Sequence, residues 1–427
     1  MDLIKFNEFP RRSFPRPHHV RELIRGRTSD PIRDHIFFGF RKRRKIALMK
    51  CLNIEDFKRL AKRRVPRAVF DYVEGGAEDE ITLTKNRLQF ERITFLPHVL
   101  RSTNLVSTAC AILNQQVAAP LILGPTGFTR MLHCAGEVAV AQAAAQSNVI
   151  YTLSTVGTVS PEELREHVPN GIQWFQLYPT TDKTINKDLI RRAKETGFKA
   201  LVVTVDTPIG GRKLRDVRSG FTLPPKVTLK SIAEIASKPV WWMNTISSLP
   251  LNLFIADYFK GDGGMSSPRL MNLMRNQELD FKKIEWIKTH WDGPLIVKGV
   301  LRSDDADVLK EMGVDAIVVS NHGGRQLDQS VASLEALIKI KRNSVIPAIV
   351  DGGIRNGRDI VSAIANGAIA AQIGRAYLYG LMAGGKQGVT SVLNLLTSEL
   401  EQTMILLGIQ DISSITSDCL TTPQTHA

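Results

Sequence analysis

The sequence predicts an α/β protein built as a TIM (β/α)8 barrel, with a helical segment ahead of the barrel and a long insertion after its fourth strand. Three observations carry that expectation. Eight short apolar runs, rich in β-branched residues, lie at 120–123, 150–153, 172–177, 200–205, 295–297, 316–319, 348–350 and 370–373. Amphipathic stretches separate most of them, at 136–147, 187–196, 303–312, 334–341 and 358–366. Polar residues and glycines stand directly after each run, where a barrel gathers its chemistry.

Residues 1–48 precede this pattern and hold 13 Lys/Arg against 5 Asp/Glu, so +8 of the chain's +14 sits in a short arm. With Arg41-Lys42-Arg43-Arg44-Lys45, several prolines and no long apolar periodicity, the arm reads as disordered. It fits a solvated tail, or a patch for an anionic membrane surface or nucleic acid. Acidic residues and the lack of an apolar core argue against a targeting peptide, and Met49 is an alternative start. Residues 49–118 read as a helical segment packing on the barrel, with an amphipathic helix at 54–64 and a second element carrying Phe70-Asp71-Tyr72-Val73-Glu74-Gly75-Gly76-Ala77.

The barrel itself is expected over 119–427, closed by a helix at 391–407. Its regular spacing breaks at about 216–280, where Pro224-Pro225 and Gly261-Asp262-Gly263-Gly264 mark a long insertion. Such an insertion at the carboxyl-terminal face suits a lid, an oligomer contact or a membrane contact. Its uncharged stretch 239–256 holds Trp241 and Trp242, but prolines and polar residues make it too polar to span a bilayer.

Four cysteines (Cys51, Cys110, Cys134, Cys419) lie far apart with no C-x-x-C pair, so neither a disulfide framework nor a metal site is expected. This usage points to the cytoplasm, with peripheral attachment to the inner face of the cell membrane as the variant that the insertion allows. No nucleic-acid motif interrupts the barrel pattern, so nucleic acid is not an expected partner.

The chemistry is concentrated at the strand ends. The sixth run delivers Ser320-Asn321-His322-Gly323-Gly324-Arg325-Gln326-Leu327-Asp328, which sets a base that titrates near neutrality three residues from a planar cation suited to a carboxylate. Gly352, Gly353 and Gly374, with Arg355 and Arg375, follow the last two strands, where barrels often hold phosphate.

These segments, with Phe175-Gln176-Leu177-Tyr178, Thr204-Val205-Asp206-Thr207-Pro208, Val297-Lys298-Gly299 and Asp351-Gly352-Gly353-Ile354-Arg355, closely resemble the FMN-dependent L-2-hydroxy-acid dehydrogenase and oxidase family. The resemblance covers residues 52–415 and is strongest to the L-lactate and L-mandelate dehydrogenases. It implies that FMN is the cofactor, contacted by Pro125, Thr126, Gly127, Ser154, Gln176, Thr204, Lys298 and Ser320. It further implies that Asp351 caps the ribityl side and that Gly352, Gly353, Ile354, Arg355, Asn356, Gly374 and Arg375 hold the phosphate. The implied substrate is a small L-2-hydroxy acid, its carboxylate clamped by Arg325 with the hydroxyls of Tyr72 and Tyr178. His322 becomes the catalytic base and Asp206 its orienting carboxylate.

One position departs from the pattern: seven residues after Asp206 the family usually has an arginine, and here Lys213 stands between Arg212 and Arg215. By the same resemblance, the small residues Gly127, Val156 and Gly210 face the substrate side chain and favour an acid larger than glycolate, with lactate or mandelate the leading choices. Quinone is the expected electron acceptor, with oxygen the alternative; a non-redox FMN barrel isomerase is the rival from another class. Relatives are commonly tetrameric, so a homo-oligomer is expected.

Overall fold

The computed structural model describes residues 45–220, 234–246, 253–259 and 277–421. Contacts divide the chain into two units, residues 1–47 and 48–427, and only the second is described at length. The basic arm, and the Pro224-Pro225 and Gly261–264 parts of the insertion, lie outside the described residues.

A short antiparallel hairpin, β1 (Cys110–Ile112) and β2 (Gln115–Val117), precedes the barrel. Eight parallel strands then close on themselves in chain order: β3 (Leu121–Leu123), β4 (Ile150–Ser154), β5 (Gln173–Leu177), β6 (Leu201–Thr204), β7 (Leu295–Val300), β8 (Ala316–Val319), β9 (Ala348–Asp351) and β10 (Ala370–Ile373), with β10 pairing β3. All eight predicted strands are present. Almost every strand residue is buried, because one side fills the barrel and the other meets the helices, which is why the runs are continuously apolar rather than alternating.

Inside the barrel Ile122, Ile150, Trp174, Val202, Ile296, Val318 and Ile349 form one core, and Ile112 and Val117 of the hairpin close its amino-terminal end. The Trp174 indole donates to Gln115 Oε1 at 2.8 Å, fixing that plug. The sequence reading did not find the hairpin. Its strands are three residues each, too short for alternation to register, and Leu113 and Asn114 turn with positive φ of 44° and 65°.

The expected helix at 54–64 is observed as Ile54–Arg64, where Asn53 Oδ1 accepts from Asp56 N at 2.9 Å and acidic and basic residues match the helix dipole. The Arg67–Glu74 and Ile81–Glu91 helices follow. Together they pack on the carboxyl-terminal rim: Ala77 N donates to Gly324 O and Glu78 N to Arg212 O, each at 2.8 Å. Asp328 completes the attachment by accepting from the backbone of Asp79, Ile81 and Thr82 at 3.1, 3.2 and 2.8 Å. It caps a helix nearly 250 residues away in sequence.

Of the insertion, the structure describes the Pro239–Ile246 helix and a 3-10 turn at Phe254–Phe259. The closing helix runs Lys386–Leu407, starting earlier than expected because Gly385 separates it from the helix Arg375–Gly384. Among the described residues, no helix is long and apolar enough to cross a membrane.

Candidate active site

The strand ends surround a cavity of about 530 Å³ at the carboxyl-terminal mouth of the barrel. His322, Arg325, Tyr178, Tyr72 and Lys213 all line it, as do Pro125, Thr126, Gly127, Ser154, Thr204, Lys298, Asp351, Gly352, Gly353, Ile354, Arg355, Gly374 and Arg375. Asp206, Gln176, Ser320 and Asn356 stand behind the lining rather than in it.

His322 follows β8 in the left-handed backbone region, φ 57°, with its N–H donating to Ser320 Oγ at 3.0 Å. Its Nδ1 lies 3.0 Å from Asp206 Oδ1, at the end of β6. A carboxylate there accepts from Nδ1–H, which leaves the Nε2 lone pair as the proton acceptor. Burial pushes the Asp206 carboxyl up, but His322 and Lys298 outweigh it and hold the group below its ordinary value. Asp206 is itself held from behind by Gly299. That glycine has φ 114°, and a Cβ on it would lie 2.6 Å from Asp206 Cβ, so the β7 irregularity between Lys298 and Val300 makes room for the carboxylate.

Arg325 is fixed by backbone from the N-terminal segment: its Nη1 donates to Tyr72 O at 2.9 Å and Gly75 O at 2.7 Å, and the guanidinium lies 5.3 Å from the Tyr72 ring centre. Both bonds use one nitrogen, so the rest of the fork keeps its donors for an acid. Burial pushes the Tyr72 and Tyr178 hydroxyls up, so both stay protonated donors.

Lys298, from β7, donates to Ser320 Oγ at 2.8 Å and pairs with Asp351 Oδ2 at 3.1 Å. Burial pulls its ammonium down, but Asp351 and Asp206 more than offset this and keep it charged. Among the described residues Lys213 reaches only Gly211 O, at 3.4 Å, and burial beside Arg325 lowers its pKa to about 8 despite Asp216. Asp216 also lines the cavity, its carboxyl pushed up by burial. The sequence reading took Asp216 only as the start of the insertion; its place three residues after Lys213, on one turn of a helix, was the available signal.

FMN fits what these residues offer. Gly352 and Gly353 turn with φ of 86° and 95°, and nothing lies within 4 Å of where a Cβ on Gly374 would be, so backbone approaches the mouth without side chains. Several buried polar atoms nearby have no partner among the described residues: Thr204 Oγ1, Gln176 Nε2, Asp351 Oδ1 and both side-chain polar atoms of Gln372. Gln372 was absent from the sequence reading because it sits within β10, before the polar strand end.

Three phosphate candidates already have protein partners. Asn356 caps the helix Gly357–Ala365, its Oδ1 accepting from Asp359 N at 2.9 Å. The Arg375 guanidinium donates to the carbonyls of Val73, Gly323 and Gly75 at 3.0, 2.8 and 3.0 Å. Arg355 Nη1 donates to Ile354 O at 2.7 Å.

Comparison with known proteins matches residues 61–422 to the model of the FMN-dependent dehydrogenase family. The chain belongs to that family. A relative described as a putative L-lactate dehydrogenase of Mycobacterium tuberculosis is 42% identical over 374 residues, covering 87% of this chain and 89% of that one. An L-lactate oxidase of a Nostoc species is 39% identical over 379 residues, covering 88% and 99%. Among solved structures, the monotopic membrane protein (S)-mandelate dehydrogenase superimposes with a TM-score of 0.81 at 33% identity, covering 87% of this chain and 99% of that one. As a member of the FMN-dependent dehydrogenases, the protein carries FMN and oxidises 2-hydroxy acids. That membership overturns the non-redox isomerase alternative.

Proposed function

We propose that the protein oxidises L-lactate or L-mandelate to the 2-oxo acid and passes the electrons to a quinone. The His322–Asp206 contact carries this reading, because it places a supported base in the same cavity lining as the Arg325 guanidinium. Oxidation of the acid removes two electrons and two protons. FMN, when bound, would take up the two electrons together with the second proton.

The protein's part is to bind, orient and take a proton. Arg325 pairs with the carboxylate through its unengaged edge, and Tyr72 and Tyr178 donate hydroxyl hydrogen bonds that orient the acid in the cavity. His322 Nε2 accepts one proton, and Asp206 stabilises the imidazolium that results. Lys298, held charged by Asp351 and Asp206, would supply positive charge toward a bound flavin and so favour its reduction. Lys213 adds a second cation to the acid-binding wall.

For the acceptor, the insertion supports quinone and a peripheral membrane site. Val240, Trp242 and Met243 are exposed on the helix Pro239–Ile246, and the mandelate dehydrogenase neighbour is a monotopic membrane protein. The L-lactate oxidase relative supports the second reading, oxygen as acceptor. Anaerobic addition of L-lactate and L-mandelate, each against its D-isomer, tests the reductive half: one L-acid should bleach the flavin. Bleaching by neither acid would refute the substrate assignment. Near-stoichiometric hydrogen peroxide during aerobic turnover would replace quinone with oxygen.

A further inference from the structure

We propose that residues 253–259 of the insertion form a fixed strap that sets which acid side chains the cavity accepts, with Ile255 and Leu253 as the inner face and Tyr258 as the anchor. The proposal rests on the reading of the cavity as the 2-hydroxy-acid site.

The inner face begins at Val156. This residue lines the cavity, and Gly127 lets it come in closely: a Cβ on Gly127 would lie 2.5 Å from Val156 Cγ2. Behind Val156, the buried Leu253 and Ile255 form a small apolar cluster separate from the main core, with Phe128, Tyr178 and Tyr258 packed against it. Phe128 and Tyr178 are also cavity-lining. Val156 is therefore a thin wall with Ile255 as its backing. How far it can recede from a bulky substrate depends on what stands behind it.

The strap is held from both ends. Phe254 N donates to Gly157 O at 3.1 Å, tying it to the residue beside Val156. On its outer side the Tyr258 hydroxyl donates to Asp188 Oδ2 at 2.5 Å, on the barrel helix Lys183–Glu195. Arg192 of the same helix donates to the Tyr258 hydroxyl at 3.1 Å and forms a two-point pair with Glu162 at 2.8 and 2.7 Å. Its guanidinium lies 5.6 Å from the Phe254 ring centre and 6.0 Å from that of Tyr258. None of these anchoring groups lines the cavity. Tyr258, Asp188 and Arg192 are positioning residues that act through Ile255 and Val156.

The test uses the full-length flavoprotein and compares kcat/KM for L-2-hydroxy-4-methylpentanoate with that for L-lactate. In parallel, binding of the two matching 2-oxo acids is read from the perturbation of the flavin absorbance, which needs no turnover. Pocket-size discrimination of this kind is worth roughly 10–200-fold. Ile255→Ala should raise the ratio of the larger acid to lactate at least about fivefold in both measurements, and Ile255→Phe should lower it. Tyr258→Phe, which keeps the ring and removes the anchor, should move the ratio in the direction of Ile255→Ala. Ratios unchanged in both Ile255 variants, with flavin bound and lactate still oxidised, would overturn the strap as a specificity element while leaving the acid site intact. A Tyr258→Phe ratio equal to wild type would overturn the anchor. A wild-type protein whose flavin no 2-hydroxy acid reduces, and whose absorbance no 2-oxo acid perturbs, would overturn the underlying site reading instead.

Discussion

Lys213 gives the acid-binding wall an alkaline limit that an arginine there would not. Burial and the neighbouring Arg325 lower its pKa to about 8, partly countered by Asp216. At that value the charged fraction is about 0.9 at pH 7 and about 0.1 at pH 9. An ammonium paired with a carboxylate contributes roughly 1.5–3 kcal/mol, a ten- to hundredfold effect on affinity. Thus kcat/KM for the L-acid should fall about tenfold from pH 7 to pH 9 as the free enzyme loses this charge. A bound carboxylate favours the ammonium, so the limb in kcat should lie at higher pH. Lys213→Arg removes the limb below pH 10, because a guanidinium keeps its proton there. Lys213→Met should lack the limb near pH 8 and lie at or below the wild-type value at pH 9. The assay is stopped-flow flavin reduction at limiting acid across pH 6–10. An unchanged limb near pH 8 in Lys213→Arg would refute the assignment and move the titration to another group.

Three further substitutions test the remaining parts. His322→Ala should abolish flavin reduction by the L-acid while the visible flavin spectrum is retained; reduction at the wild-type rate would remove His322 from the chemistry. Arg325→Lys should raise KM by roughly 10–100-fold with a smaller effect on kcat, since one ammonium cannot reproduce a fork already anchored to Tyr72 O and Gly75 O. Asp328→Ala removes the cap shared by Asp79, Ile81 and Thr82 and should cost about 1–2 kcal/mol, read as a lower urea midpoint at pH 7. Burial pushes the Asp328 carboxyl up, but the N–H groups of Thr82, Gln329 and Ile81 prevail and hold it below its ordinary value. Its contribution is therefore complete above the ordinary carboxylate range and is lost as pH falls through the lower folded value, so the gap between the two proteins should close in acid.

The barrel was legible because parallel strands buried on both sides are continuous apolar runs, and amphipathic stretches separate most of the eight. The site was legible where chemistry follows a strand directly, as at Thr204-Val205-Asp206 and Ser320-Asn321-His322. It was less legible inside the nine-residue motif. His322 and Arg325 face the cavity, whereas Asn321 exchanges side-chain hydrogen bonds with Asn86 at 2.8 Å and Asp328 caps the Ile81–Glu91 helix. Composition cannot separate these tasks, because a carboxylate that caps a helix and one that orients a base are the same residue type. The division becomes visible only when the N-terminal segment is seen to lie across the mouth. That contact also explains why residues 67–91, remote from every strand, supply Tyr72 and the carbonyls that hold Arg325 and Arg375.

Relatives described as an oxidase and as dehydrogenases share the same family chemistry, so that chemistry is common to both kinds of electron acceptor. The insertion is where a membrane acceptor would leave its mark. On the helix Pro239–Ile246, Trp241 turns inward and its indole donates to Met131 O at 3.0 Å, whereas Val240, Trp242 and Met243 are 48%, 36% and 51% exposed. Three apolar side chains on the outside of one short helix have no use in water, and each is worth roughly 1 kcal/mol when its exposed part enters a bilayer interface. Trp242→Ser with Met243→Ser should then weaken sedimentation with phosphatidylglycerol-containing vesicles by at least about tenfold, with anaerobic flavin reduction unaltered, because neither side chain lines the cavity. Equal sedimentation of the double variant and wild type would assign these residues to another partner and remove the principal structural support for quinone.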